Sequence, residues 1–477
     1  MSKDLPRSAA AAQQVDPAAV LAFVDAVEAD PAIELHSLMV VRHGHVIAEG
    51  WWAPHTPERT RLLYSLSKSF TSTALGLALE EGRVGLDDPV VSFFTEFDAE
   101  ITDPRSRSVT LRQLASMAAG HDRDLLDEVL ALDPREPVRG FLLVPPDAEP
   151  GTVFAYSQPC TYALAAVIQR AAGMRLTEYL RPRLFDPLGI GEVGWLSWPP
   201  GREQGFSGLF ARTGDVAKLG QLFLQRGRWG GTQLLGERYV GQATSRQIDT
   251  PNQENVDWRQ GYGFQFWMAR HGYRGDGAFC QFCVVLPEQD AVVAITGGTE
   301  AMQGVLDNLW EHLLPGLGTE RPDGGAQQEL DRRLSGLSLP ACVARPSPPR
   351  WEDWTGGPFP VAPGAEGMPA AALASVELRN ADHGLEVTIA GPANALSFPV
   401  GAGDWLVSSP RDRHGDAVPV AASGGWLDDH TARVEVIFLE SPHRMDVTCS
   451  LPARTAEAAW RGVPLDGGRL QTLHRPW

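Results

Sequence analysis

Ser65-Leu66-Ser67-Lys68 is the only S-x-x-K in this 477-residue chain, and it opens an apolar run with helical spacing, SLSKSFTSTALGLALEE. Residues three apart on a helix share a face, so the Ser65 hydroxyl and the Lys68 amine would meet. A serine hydroxyl is a weak nucleophile until a neighbouring base takes its proton. Lysine can be that base once burial or a nearby cation lowers its pKa; arginine, always protonated, cannot. The distinction matters here, because lysine occurs only at Lys3, Lys68 and Lys218 among 41 basic residues. A helix N-terminus adds free N–H groups and a positive dipole end that favour developing negative charge. The pattern points to an activated serine with a lysine base; from these residues alone, a helix cap followed by a solvated lysine remains the plainer alternative.

Other chemistries find little support. There is no G-x-S-x-G, S-D-N or K-T-G, and no H-E-x-x-H or paired-histidine site, so neither a metal nor a cofactor is expected. The glycine pairs Gly230-Gly231 and Gly297-Gly298 lack phosphate-loop spacing. Five cysteines, at 160, 280, 283, 342 and 449, are scattered. Cys280 and Cys283 form a C-x2-C without a second pair and read as buried thiols in a strand-like run.

The elements that must position Ser65 and Lys68 follow from periodicity. Residues 16–30 have helical spacing behind an Asp-Pro start. Leu38–Val41 and Val46–Ala48 flank a glycine turn and predict a hairpin. A helix is predicted over Ser65–Glu81, stopped by Gly82. Residues 110–240 are helical with proline and glycine punctuation. Strands are predicted at Phe279–Leu286 and Ala291–Thr296, then a helix closing near Leu314. These elements predict an α+β unit, a sheet flanked by a helical lobe, over residues 1–315. A proline- and glycine-rich linker over 316–350, with a short helical piece at QQELDRRL, precedes a change of texture. From 351 to 477, period-two runs such as Ser375–Arg379, Leu385–Ile389, Ala432–Phe438 and Met445–Leu451 predict a small all-β unit, barrel or sandwich. Trp351, Trp354, Trp405, Trp426 and Trp460 are expected in its core.

Residues 64–90, YSLSKSFTSTALGLALEEGRVGLDDPV, resemble the serine β-lactamase and penicillin-binding-protein family, in its class C and esterase branch. The likeness continues through TLRQLASMAAG, LFDPLGIG, GLFARTGDVAKLGQLFLQRG and GYGFQFW, and spans residues 30–315 in order. It implies the β-lactamase/transpeptidase-like antiparallel sheet, and a lipocalin-like barrel for the C-terminal unit. It also implies Ser65 as the acylated nucleophile and Lys68 as its base partner, with Tyr156, which shares its proton, as the alternative base. The family's Tyr-x-Asn is replaced by Tyr156-Ser157-Gln158. Tyr156 keeps the phenol that moves the leaving-group proton, its pKa lowered if an ammonium lies beside it, and Gln158 keeps an amide toward the substrate. The third motif, Lys-Thr-Gly or His-x-Gly, is represented by Gly275-Asp276-Gly277. Gly277 would bring the backbone close to the substrate, and the Ala278 N–H would complete an oxyanion hole with that of Ser65. The motif's cation is lost; Arg274 or His271 are its possible replacements, and Arg461 is the candidate polar contribution from the C-terminal unit. Without that cation the chain looks poorly suited to penicillins.

The expected function is a serine hydrolase acting through an acyl-enzyme on a small ester or amide, one containing a D-amino acid included. One alternative is a penicillin-binding-protein-type thioesterase or peptide cyclase, which would need a carrier protein as partner. The other is a non-catalytic binder that keeps the cleft. A net charge of −18 argues against nucleic acid and anionic membranes as partners. No apolar run approaches the ~20 residues of a membrane span. The first twenty residues lack a continuous apolar h-region, so a cytoplasmic location is expected.

Overall fold

The computed structural model describes residues 4–319, 325–362, 373–465 without 383 and 393, and 473, 474 and 476. Strands β1 (Leu35–Arg42), β2 (His45–Trp51), β3 (Trp267–Met268), β4 (Tyr273–Gly277), β5 (Gln281–Leu286) and β6 (Ala291–Gly297) form one antiparallel sheet in the order β2-β1-β6-β5-β4-β3. Every residue of β1, β5 and β6 is buried, as continuous apolar runs require when both faces are covered.

Period-two geometry divides these strands between two cores. Met39, Val41, Cys283, Val285, Val292 and Ala294 enter one cluster. Their neighbours Leu38, Val40, Phe282, Val284, Val293 and Ile295 enter the other. Each large apolar side chain so buried contributes about 1.5–3 kcal/mol. Cys280 and Cys283 fall in different clusters, and all five cysteines are free and buried, so the C-x2-C pair cannot share a metal or a disulfide.

On the first face lie α2 (Ser67–Glu80), α3 (Gln158–Ala172) and α4 (Thr213–Leu224). On the second lie α1 (Pro17–Ala29) and the helical segment from Met302 to Gly316. Asp16 caps α1 by accepting from the Ala18 N–H at 3.0 Å, with Pro17 in its first turn. Helix α2 is buried at every position from Ser67 to Ala78. Its hydroxyls are satisfied by backbone carbonyls: Ser69 donates to Gln265, Thr71 to Gly205, Ser72 to Phe264 and Thr73 to Ser69. The α-helix begins two residues later than its periodicity predicts. Tyr64, at φ +46°, turns the chain first and leaves Tyr64–Leu66 as a 3-10 turn.

Within the segment expected to link the two units, residues 320–324 lie outside those described. Past them α5 (Ala326–Ser335) buries Leu330 and Leu334 in the cluster that contains α1, and Arg333 pairs with Asp25 and Glu28. Further on, β7 (Phe359–Pro360), β8 (Ser375–Ala381), β9 (Gly384–Ala390) and β10 (Ala395–Pro399) form a four-stranded sheet. A five-stranded one contains β11 (Leu406–Ser408), β12 (Val420–Trp426), β13 (Thr431–Phe438), β14 (Arg444–Ser450) and β15 (Thr455–Trp460). Both sheets enclose one core that holds Trp354, Trp426 and Trp460, with Trp351 packed against it. Trp405 instead packs on the core containing α1, donating from Nε1 to the Leu339 carbonyl at 2.9 Å.

The expected barrel is not closed among the described residues. The sheets meet only through single bridges, Val361 with Ala456 and Gly401 with Ser423, so the ladder is interrupted at both margins. This unit also packs on the rest of the chain, since Ala421, Ile437 and Leu439 join the core that contains α1. No helix among the described residues is long and apolar enough to cross a membrane.

Candidate active site

Ser65 sits between a short strand, Arg61–Leu62, and α2, partly exposed at the mouth of an otherwise buried helix. Lys68, one turn on and 1% exposed, places its Nζ 2.9 Å from Ser65 Oγ. The same nitrogen donates to Gln158 Oε1 at 2.7 Å and to the Phe206 carbonyl at 2.9 Å. Both of those oxygens can only accept. In the neutral amine two N–H bonds serve them, and the lone pair is left facing the Ser65 hydroxyl. Burial lowers the amine from its ordinary 10.5 to about 7, against the opposing charges of Asp124 and Asp276. The arrangement can take a proton from Ser65 near neutral pH.

Tyr156 precedes α3 and presents its ring 4.7 Å from Lys68 Nζ. It stacks on Trp267 at 5.3 Å, and Tyr262 stands edge-on to it at 6.1 Å. The expected lowering of its phenol pKa is reversed. Desolvation, then the charge of Asp276, raises it well above 10, and the Ser65 side chain only partly opposes that. The reason is burial of the phenol among Trp267 and Tyr262. The phenol is therefore held neutral, while Lys68 is the amine brought toward neutral pH. Gln158 begins α3, where its N–H donates to Asp124 Oδ1 at 2.9 Å. Its own Oε1 orients the lysine, a role nearer the chemistry than the substrate contact expected of it.

Gly277, the last residue of β4, lies against the turn that carries Ser65. A Cβ there would stand 2.1 Å from the Leu63 carbonyl oxygen, 2.9 Å from the Leu66 nitrogen and 3.1 Å from that of Ser65. Only glycine lets the two backbones approach so closely. Ala278, partly exposed, is the first residue beyond the β4–β5 ladder, whose last pair is Gln281 with Gly277. Its N–H lies outside that ladder, one residue on from the Gly277 approach to the Ser65 turn. Gly277→Ala is expected to push β4 from that turn and lower kcat at least about tenfold. Initial rates beside a melting curve would check this, and an unchanged kcat would refute it.

The third-motif cation is replaced by a buried ion pair. Arg274 and Asp276, two apart on β4, share a face, and Nε donates to Oδ2 at 3.1 Å. The guanidinium also donates to the Asp257 and Met268 carbonyls at 3.0 Å and lies 4.3 Å from the Trp258 ring. Arg274 is thus consumed internally, and the charges that act on Lys68 are those of Asp124 first and Asp276 second. His271 is exposed beside Trp310, a residue of the opposite core, at 5.0 Å. Arg461 pairs with Asp446 and Glu435 and lines a groove with Glu28, Glu34 and Arg444, away from Ser65. None of the three stands in for the missing cation.

Sequence reasoning did not find Asp124, Phe206, Trp267 or Gln265. Gln265, at φ +63°, ties α2 to α3: its carbonyl accepts from Ser69, and its Oε1 accepts from Thr161 at 2.6 Å. A polar residue within the aromatic run GYGFQFW was the only signal for it.

A lysine-activated serine at the head of a core helix, against an antiparallel sheet edge, defines a serine hydrolase of the β-lactamase type. The chain belongs to the Beta-lactamase family, whose family model matches residues 23–313. It is 24% identical to the 6-aminohexanoate-dimer hydrolase of Paenarthrobacter ureafaciens over 54% of this chain and 71% of that one. With Esterase EstB of Burkholderia gladioli the identity is 26%, over 39% of this chain and 55% of that protein. Among solved structures, SurE with D-Leu matches at a TM-score of 0.51 and 19% identity, covering 90% of this chain and 98% of that one.

Proposed function

We propose that the chain hydrolyses a small ester or amide lacking a carboxylate next to the scissile bond, through an acyl-enzyme on Ser65. The observation that carries this reading is the 2.9 Å contact between Lys68 Nζ and Ser65 Oγ, with the other two lysine partners being obligate acceptors. The Ser65 proton passes to the neutral Lys68 amine as Oγ attacks the acyl carbon. The carbonyl electrons move onto oxygen, where the Ser65 and Ala278 N–H groups receive them. As the C–O or C–N bond breaks, the Lys68 ammonium, held beside Ser65 Oγ, returns its proton to the leaving group, and the neutral Tyr156 hydroxyl, bonded to the Ser65 side chain, guides that transfer. Water then repeats the sequence and frees the acid.

The substrate class follows from charge. Asp276 near the amine disfavours a carboxylate where β-lactams carry one. The relatives named an esterase and an amide-dimer hydrolase support the same class.

The test is a comparison of p-nitrophenyl butyrate, a D-amino-acid p-nitroanilide and a chromogenic cephalosporin. The expected kcat/KM for one of the first two exceeds that for the cephalosporin by about a hundredfold, the scale of a lost charge pair. A cephalosporin turned over best would sink the substrate reading.

A further inference from the structure

The two residues that flank the candidate oxyanion donors share an uncommon backbone. Tyr64, before Ser65, has φ +46°; Phe279 and Cys280, after Ala278, have φ +61° and +70°. Bulky side chains rarely adopt this left-handed region, and they persist there only where surrounding contacts over-determine them. Here those contacts come from a distant part of the chain. The loop between β13 and β14 brings His443 against both: Tyr64 Oη lies 2.5 Å from His443 Nε2, and the Phe279 ring stands edge-on to the imidazole at 4.9 Å. Tyr64 and Phe279 also touch each other at 5.4 Å.

The imidazole tautomer is fixed by its other partner. His443 Nδ1 lies 2.9 Å from the Gly462 carbonyl, which can only accept, so Nδ1 carries the hydrogen and Nε2 accepts from the tyrosine. Burial holds the ring neutral, with its pKa lowered to about 3. Two further contacts close the junction. The Leu62 N–H donates to the Glu440 carbonyl at 2.8 Å, and a Cβ on Gly462 would come within 2.9 Å of the Phe279 ring.

We propose that His443 is a positioning residue for the oxyanion donors: its bond to Tyr64 and its contact with Phe279 fix the backbone on either side of the Ser65 and Ala278 N–H groups. The inference rests on the hydrolase reading above and gives the C-terminal β unit a part in the rate of acyl transfer. It does not touch substrate, so its loss should weaken transition-state stabilisation and leave ground-state binding alone.

The experiment compares wild type, Tyr64→Phe, His443→Ala, His443→Gln and the Tyr64→Phe/His443→Ala double variant. Readouts are kcat and KM for p-nitrophenyl butyrate, the rate of fluorophosphonate adduct formation by intact mass, and the melting temperature. Each of Tyr64→Phe and His443→Ala is expected to lower kcat and the labelling rate about tenfold, with KM changed less than about twofold. The double variant should be no slower than His443→Ala, as one shared route requires. His443→Gln, whose amide can accept from Tyr64 and donate to Gly462, should recover most of the rate. Tyr64→Phe keeps the ring and removes only a hydroxyl, so it tests the idea even if His443→Ala folds poorly. A kcat for Tyr64→Phe within about twofold of wild type, or additive losses in the double variant, would overturn the positioning role. A wild type inert to both ester and fluorophosphonate would overturn the hydrolase reading itself.

Discussion

Ser65→Ala is expected to lower kcat/KM on any accepted ester at least ~10³-fold and to abolish the fluorophosphonate adduct seen by intact mass on wild type. The substitution removes one partly exposed oxygen at the head of α2, whose twelve following positions are buried and make no use of it for packing. The melting temperature should therefore move by no more than a degree or two. What residual rate survives would come from the backbone donors and from binding alone. An adduct on the alanine variant would place the nucleophile elsewhere. The nearest thiol, Cys160, is a poor candidate, because burial pushes its pKa up to about 12.

Lys68→Arg should cost ~10²–10⁴-fold in kcat, because a guanidinium cannot take the Ser65 proton. The pH profile carries the second half of this prediction. With the amine at about 7, wild-type kcat/KM should rise with pH through that value and level off above it as the lysine loses its charge. The arginine variant should show no such limb. Stability should follow with its own sign. Between about 7 and 10.5 the unfolded chain holds this proton and the folded chain does not, so the group's contribution rises with pH across that window. Below about 7 the cost of burying the ammonium is fully present. Lys68→Met, which removes that cost, should be as inactive as the arginine variant and more stable than wild type below pH 7. A wild-type profile flat from pH 6 to 9 would remove Lys68 from the base role.

Ser65 and Lys68 were readable from residue type and short spacing, whereas Tyr156 and Gly277 came only from the resemblance to the β-lactamase family. The strands β1, β5 and β6 were legible too, as short apolar runs bounded by turns. The rest depends on distances that no local pattern encodes. The start of α2 moves by two residues because Tyr64 adopts a left-handed turn, secured by a histidine 379 positions away. The direction of the Tyr156 pKa turns on how deeply the fold buries the phenol. Arg274 looked like a free cation until Asp276, two residues on along the same strand face, was found to hold it. In the C-terminal unit the alternating runs gave four of the strands. Val420–Trp426 was missed because its small residues, VAASGGW, carry little apolar periodicity.

The burial of α2 has a consequence for how such a protein could change its substrate. The nucleophile and its base stand on a floor where nearly every atom is in contact, so a substitution there is tested by folding before it is tested by catalysis. The side chains around it that carry no step of the reaction, Asp124 and Phe206 among them, are exposed or partly exposed. Selection or engineering can edit that rim at little structural cost and leave the floor unaltered. New specificities should therefore be sought by diversifying the rim, and screens that randomise α2 should return mostly unfolded chains.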